Sequence, residues 1–324
     1  LMYAAHLLKY TVYSRVSQFA LIIAVPLLIL TLALGTNLNE ASRWLTIPGI
    51  NITFQTSDFA KIALIMYVAR VLSKKQDEIT SFRSAFLPVV LPVLLVCGLI
   101  LPANFSTAAV LFASCLFLMF IGRIRLKFIF SLIGLGIAGF GLYLLIAIAT
   151  GNKGRIDTWM ARIERFSDEE HKDNYQADQS KIAIATGGIV GKFPGNSVQR
   201  NFLPHPYSDF IYAIIIEEYG LIGGVLIVFL YLLLFYRVVR FLHHSPMAFG
   251  TLVAVGCTFT LVFQAMINMA VAVNLFPVTG QPLPLVSMGG TSIIFTSVAV
   301  GIVLSVSRQV EKEKLEGGDE LATA

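Results

Sequence analysis

Charged residues are scarce in this chain: they make up 13% of its 324 residues, against roughly 25% in an ordinary soluble domain. Hydrophobic residues make up 56%, and the mean hydropathy is +0.77. This shortage of charge excludes a soluble domain, a disordered chain and a fibre, and leaves a helical protein embedded in a bilayer. The net charge of +5 then bears on membrane orientation and does not indicate nucleic-acid binding, because no basic patch is interleaved with exposed aromatic residues.

Cysteine is also rare, and we expect no cleavable signal peptide. Cys97, Cys115 and Cys257 all lie inside apolar runs, which excludes a disulfide framework and a zinc site built from them. The chain begins at Leu1, and its first ten residues resemble the end of an apolar segment. We therefore expect that N-terminal sequence is missing.

Eight apolar stretches are predicted to span a membrane, since a spanning helix needs about 20 mostly apolar residues. Lys and Arg are concentrated in one set of alternate loops, which places that set in the cytoplasm. The sequence thus predicts an all-α polytopic membrane bundle, one domain over residues 1–324, with a long extracytoplasmic loop at 150–208 and a cytoplasmic tail at 309–324. The predicted spans are residues 18–35, 58–73, 85–101, 105–122, 128–149, 209–236, 247–275 and 289–307.

The segment from Asn201 to Tyr212 carries the most chemistry. Ser208 is a favourable helix N-cap, and Asp209 then falls in the first turn of the sixth predicted span. A carboxylate at an aromatic-lined membrane surface fits a general base. Stabilisation of the helix dipole is the alternative role for Asp209, and the residues alone leave both interpretations open.

Two adjacent carboxylates, Glu217 and Glu218, follow deeper in the same predicted span. They are costly there unless they are paired, protonated or facing a wet cavity. Lys61 is a basic residue in another apolar segment that could neutralise one of them. A structural pair between Lys61 and a glutamate is one interpretation, and a cavity-lining role in substrate binding is the other.

The uncharged segment Pro277–Ser292 contains too many prolines and glycines for a continuous helix. Irregular backbone at membrane depth is tolerated only where it is buried in protein or lines a cavity. Gly289 and Gly290 offer N–H groups at a helix N-terminus, a favourable place for a phosphate; a plain re-entrant turn is the alternative. The hydroxyl groups that would assist are those of Ser287, Thr291 and Ser292.

Taken together, these segments resemble the SEDS family of polytopic bacterial membrane proteins, which includes FtsW, RodA and a sporulation member. The resemblance covers essentially the whole chain, and because family members have ten spans, it implies that eight of ten are present here. It is carried by Phe202-Leu-Pro204, Ser208-Asp-Phe-Ile-Tyr-Ala213 and Glu217-Glu-Tyr-Gly220, by Pro277 to Ser292, and by Tyr175, Gln176, Gln179, Ser180, Gly187, Gly188, Gly191 and Lys192.

The resemblance implies an inverting peptidoglycan glycosyltransferase that polymerises glycan strands from lipid II at the outer face of the cytoplasmic membrane. The family's proposed catalytic aspartate carries over onto Asp209, which would deprotonate the 4-hydroxyl of the acceptor sugar. The departing undecaprenyl pyrophosphate needs positive charge or a divalent cation such as Mg²⁺, and no cofactor is certain. The candidates for substrate binding in this role are Lys61, Lys192 and Arg200, together with Gln199 beside Arg200.

The segment Gly195–Arg200 resembles the division (FtsW) branch more than the RodA branch. This implies a role at the septum, with a monofunctional class B penicillin-binding protein and other division membrane proteins as partners. Three positions depart from the family pattern: Asp58 ends a shortened acidic motif, Asn104 replaces an acid, and Phe193 replaces a glycine. The roles of Asp58 and Asn104, structural or cavity-lining, stay open.

Two other functions remain open at the level of sequence. A lipid II transporter would often show internal repeats and paired broken helices, and the sequence shows neither. A non-catalytic scaffold of the division machinery would tolerate loss of the Asp209 carboxylate, whereas an enzyme would not.

Overall fold

The computed structural model describes residues 1–34, 36–38, 41–46, 53–150, 156–167, 175–242 and 247–322, and this part of the chain is largely helical. A π-helical turn at Phe82–Phe86 leads into the helix Leu87–Ile100, and short 3₁₀ turns lie at Gln76–Glu78 and Gln199–Asn201. The helices are α1 Met2–Leu7, α2 Tyr10–Leu34, α3 Thr56–Lys74, α4 Leu87–Ile100, α5 Phe105–Ile121, α6 Leu126–Thr150, α7 Ile156–Ser167, α8 Tyr175–Gly187, α9 Ile211–Leu242, α10 Ala248–Ala272 and α11 Thr291–Ala322.

A small antiparallel sheet departs from the all-α prediction. Its strands are β1 Thr36–Leu38, β2 Ala41–Thr46 and β3 Thr53–Gln55, in the order β1-β2-β3. Trp44 of β2 is opposite Gln55 of β3. The strands are short and lie between two predicted spans, where the sequence gives no clear alternation of polar and apolar residues to indicate them.

Within the described ranges, six helical segments are long and apolar enough to cross a membrane, in agreement with a multi-pass membrane protein. The predicted span 105–122 corresponds to α5, which has only 17 residues, and 58–73 corresponds to α3, which contains charged residues. The count of eight spans therefore stays a prediction. The six segments are Tyr10–Leu34, Phe82–Ile100, Leu126–Ala149, Ile211–Arg240, Ala248–Ala272 and Thr291–Glu313.

The predicted tail at 309–324 begins inside a helix. Helix α11 continues without interruption to Ala322. The residues after the apolar part of this helix are mostly Glu, Lys and Leu, which are strong helix formers, so the end of the hydrophobic run does not end the helix.

The described chain divides into two compact units. The first comprises Leu1–Leu142, Phe235–Thr260 and Ile294–Ala324. Helix α3 is buried along much of its length in this unit, although it carries charged residues. Lys61 Nζ lies 2.7 Å from Asp58 Oδ1 one turn earlier, so the two charges neutralise each other locally and the helix can be packed inside the unit.

The second unit comprises Tyr143–Leu234 and Leu261–Ile293. Its main departure from the sequence prediction is a break in α9 at Gly220, where φ is 70° and ψ is −173°. Residues with a side chain rarely adopt a positive φ, and glycine adopts it at little cost. The predicted continuous span 209–236 is therefore two helical pieces, a short one over 211–219 and a long one over 221–242.

Candidate functional site

The break in α9 accommodates a strap, which we define as residues 187–201. A Cβ atom on Gly187 would lie 2.1 Å from the carbonyl oxygen of Ile216, and one on Gly220 would lie 2.1 Å from the carbonyl oxygen of Ile189. Only glycine permits so close an approach of two backbones. The backbone hydrogen bonds that join the two segments are Leu221 N to Gly188 O at 2.9 Å, Ile222 N to Ile189 O at 3.3 Å and Lys192 N to Glu217 O at 2.9 Å.

The side chain of Glu217 is fully buried and is hydrogen-bonded entirely by the strap. Lys192 Nζ donates to Oε1 at 2.7 Å, and Ser197 Oγ donates to Oε2 at 2.5 Å. The backbone N–H groups of Val198 and Gln199 donate to Oε1 and Oε2, each at 3.2 Å. A buried carboxylate is tolerated only when it is paired and hydrogen-bonded, and the strap supplies both conditions.

The predicted pair between Lys61 and a buried glutamate is therefore wrong. Lys61 pairs with Asp58, and Glu217 pairs with Lys192, 25 residues earlier in the chain. The physical reason is the break at Gly220, which places Glu217 at the end of a short helix beside the strap rather than within a continuous helix. The neighbouring Glu218 is only partly buried.

Asp209 lies just before the short helix rather than in its first turn, because α9 begins at Ile211. Ser208 Oγ donates to Asp209 Oδ1 at 3.0 Å instead of capping the helix. The other carboxylate oxygen, Oδ2, lies 3.6 Å from the position that a Cβ on Gly280 would occupy. Asp209 is partly exposed, and within the described ranges it forms no ion pair.

The backbone around Asp209 is held by the terminal loop, residues 273–290. Asn268 Nδ2 donates to Asp209 O at 2.9 Å and to Gln281 O at 2.7 Å. Ser287 Oγ donates to Ser208 O at 2.5 Å and accepts from Leu283 N at 2.7 Å. The hydroxyl of Ser287, predicted to bind substrate, is thus engaged in joining the terminal loop to the Asp209 segment.

Sequence reasoning missed the two amides of α10 that hold the terminal loop. Besides Asn268, Gln264 Nε2 donates to Pro282 O at 2.9 Å. The two amides lie one helical turn apart within an apolar segment, and polar residues in such segments are functional or structural candidates by default. This spacing was a signal that could have identified them.

Apart from Lys61, the remaining predicted substrate-binding residues belong to the same unit as Asp209. Helix α11 begins at Thr291, and Gly290 before it has a φ of 47°. The N–H of Ser292 donates to Gly289 O at 2.8 Å, so this N–H is not open to a phosphate. Thr291 Oγ1 is buried without a hydrogen-bond partner. Binding of a phosphate at this helix terminus stays a prediction.

Three residues of the predicted set lie in the strap: Lys192, Gln199 and Arg200. The backbone N–H of Arg200 donates to Ser197 Oγ at 3.2 Å. Arg200 is partly exposed, and its guanidinium has no ion-pair partner in the portion of the chain that is described. Gln199 Oε1 is buried without a hydrogen-bond partner. In contrast, the ammonium group of Lys192 forms an ion pair with Glu217, although 31% of the Lys192 side chain is exposed.

Asp58, Lys61 and Asn104 belong to the first unit, whereas Asp209 belongs to the second. Asn104 is buried, and its Oδ1 accepts a hydrogen bond from Thr107 N at 3.3 Å at the start of α5. An amide oxygen caps a helix about as well as a carboxylate, which explains why asparagine is compatible with this position.

A cavity of about 500 Å³ lies in the second unit, between α7, α8 and the terminal loop. Arg162 on its wall donates from Nη1 to Val278 O at 3.0 Å, which links α7 to the terminal loop. The wall combines aromatic rings with amide and hydroxyl groups. The lining residues are Thr158, Ala161, Arg162, Phe166, Tyr175, Gln176, Ala177, Pro204, Asn274, Pro277 and Val278.

The chain belongs to the family described as "Cell cycle protein" (FtsW, RodA and SpoVE), whose model matches residues 1–312. It is 34% identical over 319 residues to a probable peptidoglycan glycosyltransferase FtsW of Trichlorobacter lovleyi, covering 96% of this chain and 81% of that protein. It is 34% identical over 298 residues to stage V sporulation protein E of Bacillus subtilis, covering 90% and 79%. The predicted resemblance to this family is confirmed.

Solved structures share the fold. A chain of a peptidoglycan synthase complex, solved in a study of how polymerisation and crosslinking are coordinated, superposes with a TM-score of 0.72 at 25% identity, over 95% of this chain and 85% of that one. RodA of Thermus thermophilus superposes with a TM-score of 0.66 at 24% identity, over 95% and 83%. The second likeness concerns the fold alone.

Proposed function

We propose that this protein polymerises peptidoglycan glycan strands from lipid II, with Asp209 as the general base. The observation that carries the proposal is the state of the Asp209 carboxylate. It is partly exposed, accepts a side-chain hydrogen bond from Ser208 alone among the described residues, and forms no ion pair among them. A carboxylate that is held by its backbone but has an uncommitted oxygen can take a proton from a substrate.

In the proposed reaction, Asp209 takes the proton of the 4-hydroxyl of the acceptor sugar. The hydroxyl oxygen then bonds to the anomeric carbon of the donor sugar with inversion, and the bond from that carbon to the diphosphate oxygen breaks. The electron pair of that bond leaves with undecaprenyl pyrophosphate. Asn268 and Ser287 support this step by fixing the backbone on which the carboxylate is carried.

The charge of the leaving diphosphate requires a cation. Arg200 is the strongest candidate within the second unit, because its guanidinium has no ion pair among the described residues, whereas Lys192 is already paired with Glu217. Lys61 is paired with Asp58 in the first unit, which weakens its candidacy.

The cavity beside the terminal loop fits recognition of the substrate's sugars. Sugar rings present an apolar C–H face and a rim of hydroxyl groups, and the rings of Phe166 and Tyr175 together with the amides of Gln176 and Asn274 match both features. The wall residue Val278 lies two positions before Gly280, the neighbour of Asp209 Oδ2.

We further propose that the reaction takes place on the outer face of the cytoplasmic membrane at the division septum, beside a class B penicillin-binding protein. The similarity to a probable FtsW glycosyltransferase supports the division role. The likeness to a chain of a peptidoglycan synthase complex supports a transpeptidase partner.

The test is Asp209→Asn in the full-length protein, purified with its cognate transpeptidase and given labelled lipid II. Because general-base catalysis contributes about 10²- to 10⁴-fold, we expect the rate of polymer formation to fall by at least about 100-fold while the protein stays folded. Unchanged glycan synthesis would remove the assignment of Asp209. Translocation of lipid II into liposomes without polymer would favour a transporter instead.

A divalent cation such as Mg²⁺ remains a proposal. No group of three or more His, Cys, Asp and Glu residues suited to a metal occurs within the described ranges, so the protein residues there do not form a complete site. Mg²⁺ is commonly held by substrate phosphates and one or two carboxylates. If it assists here, EDTA should stop polymerisation and added Mg²⁺ should restore it; full activity in EDTA would exclude this role.

A further inference from the structure

Glu217 does more than balance the charge of Lys192. Its carboxylate also accepts from the hydroxyl of Ser197 and from two successive backbone N–H groups, those of Val198 and Gln199. Successive N–H groups that converge in this way form an anion-binding concavity, usually called a nest. In this strap the concavity is filled by an internal anion, so it does not take a phosphate of the substrate.

The order that Glu217 imposes extends to Arg200. Ser197 Oγ donates to Glu217 Oε2 at 2.5 Å and accepts from the N–H of Arg200 at 3.2 Å. A continuous hydrogen-bond chain therefore runs from the buried carboxylate to the backbone of Arg200, within the turn that ends at Asn201. The guanidinium itself is left without an ion pair in the described part of the protein.

The same turn is connected by packing to the segment that carries Asp209. The N–H of Leu203 donates to Gln199 O at 2.9 Å. The Leu203 side chain is buried and packs with Phe210 and Ile214. Phe210 directly follows Asp209, so Leu203 connects the turn at the end of the strap to the segment that carries the proposed catalytic carboxylate.

We propose that Glu217 is a positioning residue: by filling the nest of the strap it fixes the backbone of Arg200, and Arg200 binds the diphosphate of the lipid-linked substrate. The inference rests on the proposed function, because it names the substrate group that Arg200 contacts. It assigns to Glu217 no contact with the substrate and no proton transfer.

The experiment is a double-mutant cycle on Glu217→Gln and Arg200→Gln in the full-length protein in lipid nanodiscs. The readout is the affinity for a fluorescent undecaprenyl pyrophosphate, with undecaprenol, which lacks phosphates, as the control probe. We expect each single variant to weaken binding about tenfold, as expected for a hydrogen bond to a charged group. We expect the double variant to bind the probe no more weakly than the weaker-binding single variant, because both changes remove the same contact between Arg200 and the diphosphate. Binding of undecaprenol should not change.

A purely structural role of Glu217 predicts a different result, in which the two losses multiply to about 100-fold. Multiplied losses in the double variant would overturn the proposal. It would also be overturned if Arg200→Gln left binding unchanged, or if the unmodified protein did not bind the probe. Ser197→Ala, which removes only the bridging hydroxyl, gives the same cycle with Arg200→Gln if Glu217→Gln does not fold. The matched control is Asp178→Asn, which neutralises the carboxylate of an exposed pair with Lys181 and should leave binding unchanged.

Polymerisation of lipid II, measured in parallel, separates the two levels of the argument. An unmodified protein that binds the diphosphate probe but makes no polymer would contradict the proposed function, while the binding cycle would still decide the role of Glu217.

Discussion

Asp209 and Glu217 are two carboxylates of the same unit, eight positions apart in the chain. Asp209 precedes the short helix and Glu217 lies near its end, and the two side chains have contrasting surroundings. Glu217 is fully buried and accepts hydrogen bonds from four donors of the strap. Asp209 is partly exposed and accepts a side-chain hydrogen bond from Ser208 alone among the described residues. The Glu217 carboxylate, which accepts four hydrogen bonds, holds two segments of the chain together. The Asp209 carboxylate still has an oxygen that can accept the substrate proton we propose it takes.

A third carboxylate, Asp58, shows what a purely local pair accomplishes. It neutralises Lys61 one turn away on the same helix, and its Oδ2 atom is buried without a hydrogen-bond partner. The two charges of this pair lie on one helix, since both members belong to α3. A non-local pair such as that of Lys192 and Glu217 instead ties two segments of the chain together, so its loss should affect more than charge balance.

The sharpest way to test the contrast is to neutralise Glu217. Glu217 is fully buried and accepts from four donors, and an amide in its place cannot accept from all of them. We therefore expect Glu217→Gln to lower the free energy of unfolding by about 3 kcal/mol. The exposed pair formed by Asp178 and Lys181 is the control, because Asp178→Asn should cost less than about 1 kcal/mol. The measurement is the apparent melting temperature in detergent. Equal shifts in the two variants would contradict the structural role of Glu217.

A second way to break the strap is Gly187→Ala. The added Cβ would meet the carbonyl oxygen of Ile216 at 2.1 Å, and overpacking of this kind costs about 2 kcal/mol. Gly134→Ala is the matched control, because a Cβ there meets nothing within 4 Å and alanine favours a helix. Thermal unfolding of the two variants should shift in opposite directions. A stable Gly187→Ala variant would mean that the backbones are not in close contact.

The smallest expected effect is a gain. Phe193 has a φ of 70° and is 67% exposed, so its backbone is strained and its ring contributes little burial. After allowance for the greater freedom of glycine in the unfolded chain, Phe193→Gly should stabilise the protein by about 1 kcal/mol. Phe193→Ala keeps the Cβ and therefore the strain, so its melting temperature should not rise. An equal rise in both variants would assign the gain to loss of the ring.

Several features followed from the sequence because their causes are local. Long apolar runs predicted helices able to cross a membrane, and the six such segments of the described chain overlap six of the eight predicted spans. The motif around Asp209 and the segment Pro277–Ser292 were sufficient to indicate the family. The hydroxyl and amide contacts that join these two segments, through Ser287 and Asn268, were not predicted, because they depend on how distant parts of the chain pack.

The sequence by itself determined the membrane-embedded helical class and the residue types of the candidate site, since hydrophobic run length and residue type require no knowledge of neighbours. Only the tertiary structure decided which lysine neutralises which acid. Glu217 pairs with Lys192 because Gly220 breaks the helix and Gly187 lets two backbones meet. A contact across 25 residues is decided by that close approach, to which the spacing of charges along the chain gives no guide.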